Sequence, residues 1–291
     1  MVGGEPLVVR AELDQLAPKA ELDIFESVAA AAFVVLTWAL GWALAARKFP
    51  TRNRWDMADI IGSYALFPAI IFAALDGTMR LAGSVQSRWF GQCSSANRFL
   101  YLYCSRQLLH TPFLLFGDYS SFDRAAMLLH HCLSLVSFGT SLLTHRMSFW
   151  AVFAGCCEVT TFFLNNLCLL RELDATESTI NTVNGVLLWT SFIVFRLVLF
   201  SCWLWWFWQE TVAHPQMMRQ LTLVERYINP AVITFLLCIS TKWFVSLTRG
   251  AKSVFCCLRS SASSHLCVSF LIGMLKALGL LSSTSTSKKQ P

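Results

Sequence analysis

Charge is what this sequence has least of. Asp, Glu, Lys and Arg make up 14% of its 291 residues, against about a quarter in soluble domains. That is too little to cover the surface of a water-soluble fold, which excludes a cytosolic enzyme, a disordered protein and a secreted disulfide scaffold. Histidine is scarce too. His110, His130, His131, His145, His214 and His265 are the full set, and one adjacent pair cannot build the histidine-rich boxes of a di-iron membrane oxygenase. The eleven cysteines mostly lie inside apolar runs as small hydrophobes. None has Cys-x-x-Cys or Cys/His spacing, so no metal site is expected. The net charge is +6, but the basic residues are scattered, which argues against nucleic acid as a partner. Apolar residues are what the chain does have. Hydrophobic side chains make up 55% and mean hydropathy is +0.54, so the expected fold is all-α, a polytopic membrane helical bundle.

A bilayer core of about 30 Å takes about 20 apolar residues as helix. Seven segments meet that measure: 27–46, 60–79, 99–117, 127–144, 148–170, 186–208 and 231–247. The second carries Pro68, which predicts a kink. The third is the least regular, with Arg106, His110 and Pro112 inside it. The sixth ends in Trp203, Trp205, Trp206 and Trp208, a cluster that fits a membrane-interface belt. A further run, 266–281, is apolar but short and carries Lys276; it reads as an interfacial helix or as an extra span. The resulting division is a polar segment over 1–26, a leading span over 27–46, a membrane domain over 54–249 and a tail over 250–291.

Six acids precede Ser27 against Arg10 and Lys19, whereas the first loop holds Arg47, Lys48, Arg52 and Arg54. Positive-inside reasoning puts that loop in the cytosol and the N-terminus on the lumenal side. Seven spans then return the C-terminus to the cytosol, although Arg80, Arg88 and Arg98 run against the pattern. The chain ends Lys288-Lys289-Gln290-Pro291. That spacing resembles the dilysine address by which a COPI-type retrieval coat returns membrane proteins to the endoplasmic reticulum, a receptor-read signal rather than an anchor.

Charge at mid-bilayer is costly and usually faces the bundle interior, so each instance is informative. Asp123, Met127, His130 and Ser134 fall on one helical stripe, with His131 rotated by about 100°. A carboxylate there can orient a histidine that acts as base or nucleophile; two interfacial histidines bonded to neighbouring helices fit the same spacing. Glu158 stands in the fifth span with Thr161 and Asn165 on its face. It can hold a substrate amine, or neutralise Arg196 at comparable depth in the sixth. Arg106 and His110 share a face; the arginine can read a phosphate or carboxylate, or snorkel to the interface. Asn184-Gly185 enters the sixth span, where the glycine suggests close helix–helix approach. Asn165 with a histidine suits acyl transfer, and asparagines also tie membrane helices together.

In this order, Asp123, Met127, His130-His131, Glu158, Asn165, Asn184-Gly185 and Arg196 resemble the TLC family, shared by translocating-chain-associated proteins, ceramide synthases and the endoplasmic reticulum protein of neuronal ceroid lipofuscinosis. The likeness runs from about residue 54 to 249, with one leading span before it. It implies six TLC helices around a polar-lined cavity and acyl-CoA-dependent N-acyl transfer to a sphingoid base. His130 and His131 would then be catalytic, with Asp123 orienting the ring and Glu158 holding the amine. Asn165, Arg196 and Arg106 would line the substrate site. No bound cofactor is implied; acyl-CoA is a co-substrate, and membrane lipids and the sphingoid base are ligands. The sequence departs from the synthase pattern at Thr161, where a second carboxylate is expected, and at Ser134, where threonine is preferred. The alternative is a non-catalytic TLC protein that binds lipid and regulates membrane lipid composition. A seven-span receptor shares the count alone, without a D-R-Y triplet after the third span or an N-P-x-x-Y run in the seventh.

Overall fold

A computed structural model describes residues 24–258. Segment 266–281, Lys288 and Lys289 lie outside the described residues. The architecture is all-α, without a strand among the described residues. Six helical runs are long and apolar enough to cross a membrane: Ile24–Lys48, Arg54–Leu81, Asp123–Thr144, Ser148–Glu172, Thr179–Ala213 and Val224–Arg249. The chain is therefore a multi-pass membrane protein.

Helices α1 (Ile24–Lys48) and α2 (Arg54–Leu81) make the most extensive contact in the bundle. Asn53 starts α2 by accepting the Trp55 amide at 3.0 Å, and the helix runs unbroken through Pro68. Small residues let the two backbones meet. A Cβ on Gly62 would lie 2.8 Å from Cδ1 of Trp38, and one on Gly41 would overlap the Ala58 carbonyl oxygen. This close pair forms one wall of the bundle.

The third predicted span is broken. Short helix α3 (Val85–Phe90) precedes α4 (Ser94–Leu109), and α5 (Thr111–Phe116) restarts the chain after His110. Pro112 lies in the first turn of α5, where its missing N–H and fixed ring disfavour continuation of the preceding helix and suit the start of a new one. The sixteen residues of α4 rise about 24 Å, short of the bilayer core. The α4 stretch from Phe99 to Cys104 is buried throughout, packed against α1, α2 and the later helices α6 (Ser121–Thr144) and α7 (Ser148–Gly155). The break leaves His110 inside the bundle at 2% exposure.

Helix α8 (Glu158–Glu172) continues from α7 and packs on α2; α9 (Thr179–Phe192) packs on α8. A π-helical segment, Ile193–Val198, joins α9 to α10 (Leu199–Ala213). Short α11 (Pro215–Arg219) and a second π-helical turn, Val224–Ile228, lead into α12 (Asn229–Leu258). Helix α9 begins at Thr179 with Ser178 as its cap, so Asn184-Gly185 is interior to the helix rather than its entry. Nothing among the described residues lies within 4 Å of a Cβ added to Gly185, so the expected close approach is not made there.

The tryptophan cluster also divides. Trp205 and Trp208 are exposed and fit an interface belt. Trp203 is buried, donating Nε1 to the Trp150 carbonyl at 2.9 Å, and Trp206 lies under the Arg88 guanidinium at 4.9 Å. The arginines that contradict the positive-inside pattern are in part neutralised: Arg80 pairs with Asp76 at 2.6 Å and Arg88 with Glu210 at 2.5 Å.

Candidate functional site

A cavity of about 810 Å³ opens between α2, α4, α6, α8, α9 and α12. Every residue that the sequence singles out for the site lines it: Arg106, Asp123, His130, His131, Glu158, Asn165 and Arg196. They do not all do what their spacing suggests.

The mouth lies at the end that carries the 49–53 loop, where Thr51, Arg52, Asp118 and Asp123 line the opening. Arg52 reaches Glu172 at 3.5 Å and Asp174 at 3.4 Å, clasping that loop to the end of α8. Both carboxylate oxygens of Asp56 accept the Asp118 amide, each at 3.3 Å. Arg124 donates to the carbonyls of Leu114, Gly117 and Tyr119, fixing the lip ahead of α6. Burial, followed by the negative charge of Asp59 and then Asp56, pushes the Tyr119 phenol well above its ordinary value. It stays a neutral hydroxyl at physiological pH.

Asp123 belongs to this mouth. Its Oδ2 accepts the Ser120 hydroxyl at 2.6 Å while its amide donates back to Ser120 Oγ at 3.1 Å, so the two residues cap α6. His130 is seven residues on, about 10.5 Å along the helix axis, beyond direct contact. The expected Asp123–His130 pair is not made. Ser134 Oγ takes that place, 3.4 Å from Nδ1 of His130.

The histidines form a row. His130 and His131 have ring centroids 5.7 Å apart, and His131 and His110 5.2 Å. His131 is 2% exposed, and neither of its ring nitrogens has a hydrogen-bond partner among the described residues. Nε2 of His110 lies 3.1 Å from Oδ2 of Asp59, within ion-pair range but off the line of a hydrogen bond. Oδ1 of Asp59 accepts Trp38 Nε1 at 3.2 Å. His110 is further held between Trp38 and Phe113, stacked at 5.9 Å and 5.7 Å. Asp59 escapes the sequence reading because the second apolar window opens at Ile60; an acid one residue outside an apolar run is the available signal.

Deeper in, Glu158 is buried and accepts the Tyr103 hydroxyl at 3.2 Å. Among the described ion pairs none joins Glu158 to Arg196. Arg196 instead donates Nε to Thr160 Oγ1 at 2.7 Å and Nη2 to Thr161 Oγ1 at 3.2 Å. It sits in the π-helical segment Ile193–Val198. Asn165 donates Nδ2 to the Ile60 carbonyl at 2.8 Å, tying α8 to α2, and Asn184 does the same to Phe163 at 2.9 Å, tying α9 to α8. Both amides act as helix ties, though Asn165 also faces the cavity. Arg106 is 6% exposed, with its guanidinium 4.7 Å above the Phe67 ring and Nε unpartnered. It is buried in the bundle and does not reach the interface. Leu188, Phe192, Leu236, Ile239, Trp243 and Leu247 supply an apolar wall. Among the described residues, no group of three or more His, Cys, Asp or Glu side chains is placed to hold a metal ion.

The described residues form a multi-pass membrane helical bundle whose cavity combines a polar cluster with an apolar wall. The family model described as the TLC domain matches residues 26–249, most of the chain, and the protein belongs to the TLC domain family. The matched range takes in α1. No curated protein and no solved structure matches the chain.

Proposed function

We propose that the protein acts on membrane lipids by N-acyl transfer from a long-chain acyl-CoA to a sphingoid base. The observation that carries this reading is the convergence of His130, Glu158 and Arg196 on one cavity with an apolar wall. The acyl chain would lie along Phe192, Leu236, Ile239 and Trp243, with the thioester carbonyl beside His130. As the amine nitrogen attacks that carbonyl, the imidazole takes its proton. The C–S bond then breaks, and the thiolate leaves with the proton that His130 returns. Ser134 would orient the ring. Glu158 would hold the incoming ammonium, take its first proton and pass it to water at the cavity mouth, so that the neutral amine attacks. Location in the endoplasmic reticulum, with the N-terminus lumenal and the C-terminus cytosolic, belongs to the same proposal. It rests on the basic first loop and the terminal Lys288-Lys289 pair. It requires the broken α4–α5 run to complete a seventh crossing, since the six long helices alone would return both termini to one side.

A second reading, lipid binding without chemistry, is favoured by one feature: among the described residues, neither His130 nor His131 has a carboxylate partner. Detergent-purified protein given acyl-CoA and a sphingoid base separates the two. Amide formation that disappears in His130→Ala supports transfer. No amide, together with a cellular lipidome changed equally by wild type and His130→Ala, supports binding alone.

A further inference from the structure

Among the described residues, Arg106 is the one cavity-lining arginine buried to 6% exposure with an unpartnered Nε. No described carboxylate lies within ion-pair distance of it. Asp59, which faces the same cavity, is taken up by His110 and Trp38. Glu158 accepts Tyr103. Phe67 covers one face of the guanidinium. His131 lines the same cavity, equally buried, with both ring nitrogens unpartnered. Leaving a buried cation unsatisfied is costly. Arg106 lines an open cavity in which a ligand can meet the outer edge of its guanidinium, whereas Nε and both His131 ring nitrogens are closed off from it.

We infer that Arg106 forms an anion subsite that takes the carboxylate head of a single-chain lipid, with its tail on the α9–α12 wall. This rests on the lipid-handling reading above and names its ligand class. Arg106 supplies the charge and a planar donor edge that matches a carboxylate. A carboxylate is favoured over a phosphate monoester because the cavity lining already holds six acids, Asp59 and Glu158 among them. A dianion would add twice the repulsion of a carboxylate. The volume of about 810 Å³ suits one small amphiphile, since ligand pockets span about 300–1,000 Å³.

The test is equilibrium binding of radiolabelled palmitate to the full chain in detergent, competed by hexadecanol and by a lysophosphatidic acid of equal chain length. Palmitate should bind about tenfold or more tighter than hexadecanol, the ratio expected of one buried charge-assisted contact. Arg106→Gln should reduce that ratio to about one, with hexadecanol binding unchanged, and Arg106→Lys should keep an intermediate ratio. Equal binding of acid and alcohol by wild type overturns the subsite, and this comparison needs no variant to fold. A full ratio retained in Arg106→Gln also overturns it. Tighter binding of the lysophosphatidic acid overturns the carboxylate assignment. Wild type that binds palmitate selectively yet forms no amide rejects acyl transfer and leaves the subsite standing; amide formation without selectivity does the reverse.

Discussion

Nε2 of His110 and Oδ2 of Asp59 face each other at 3.1 Å across the α2–α4 interface, at the point where the third predicted span breaks. His110 itself keeps helical backbone angles, its amide donating to the Arg106 carbonyl at 2.8 Å, so the last turn of α4 sets the contact and the chain leaves the helix only beyond it.

Asp59→Asn keeps the size of the side chain and removes its charge. It should lower stability by about 1.5–3 kcal/mol, the usual worth of a hydrogen bond to a charged group, since Asp59 accepts Trp38 Nε1 as well as facing His110. Thermal unfolding followed by size-exclusion chromatography in detergent would register this as a fall in melting temperature. No change would mean that Asp59 and His110 are neighbours without interaction.

Ser134→Ala removes the hydroxyl that touches the His130 ring. Losing one hydrogen bond of about 0.5–1.5 kcal/mol should slow amide formation roughly two- to twelvefold. Asp123→Ala, two helical turns away, should leave turnover per folded molecule close to wild type and cost instead about 1 kcal/mol of helix capping. A large loss of turnover in Asp123→Ala with Ser134→Ala unaffected would restore the carboxylate–histidine pairing that the sequence suggests.

Arg196 is bonded to Thr160 and Thr161, so its energetic coupling should follow the hydroxyls. A double-mutant cycle of Arg196→Gln with Thr160→Val should give a coupling energy above about 0.5 kcal/mol, and larger than the cycle with Glu158→Gln. The reverse order would point to a Glu158–Arg196 ion pair.

Two glycines make opposite forecasts. Gly41→Ala drives a methyl group into the Ala58 carbonyl and should destabilise the α1–α2 pair. Gly185→Ala meets open space inside α9 and should stabilise by about 0.5–1 kcal/mol, the helix-interior difference between the two residues. Melting temperatures that shift in the same direction would contradict the packing described.

Replacing Lys288 and Lys289 with serine should release the protein from the endoplasmic reticulum to the Golgi or cell surface, as seen by microscopy of a tagged chain. Unchanged distribution would remove the dilysine address from the argument.

Much of this architecture is legible in the apolar windows, because helix length in a bilayer is set by one dimension. The Asp123–His130 stripe is legible too, since 3.6-residue periodicity needs no tertiary information. What the stripe cannot show is distance along the axis: sharing a face does not bring side chains two turns apart into contact. Asp59 and His110 escape because their pairing is purely tertiary, and because the apolar window opens one residue too late. The partners of Arg196 escape for a different reason. Opposite charges in adjacent spans suggest an ion pair, but Arg196 finds hydroxyl acceptors in Thr160 and Thr161 while Glu158 accepts Tyr103.

A π turn holds one residue more than an α turn, so the six residues of Ile193–Val198 cover about the rotation of five α-helical ones. Deleting one residue here would convert the wide turn to ordinary helix and leave α10 close to its present phase. Trp203 would keep the Trp150 carbonyl while Arg196, inside the turn, left the threonines. The extra residue thus aims one polar side chain at the cavity and leaves the aromatic cluster further along the same helical run undisturbed.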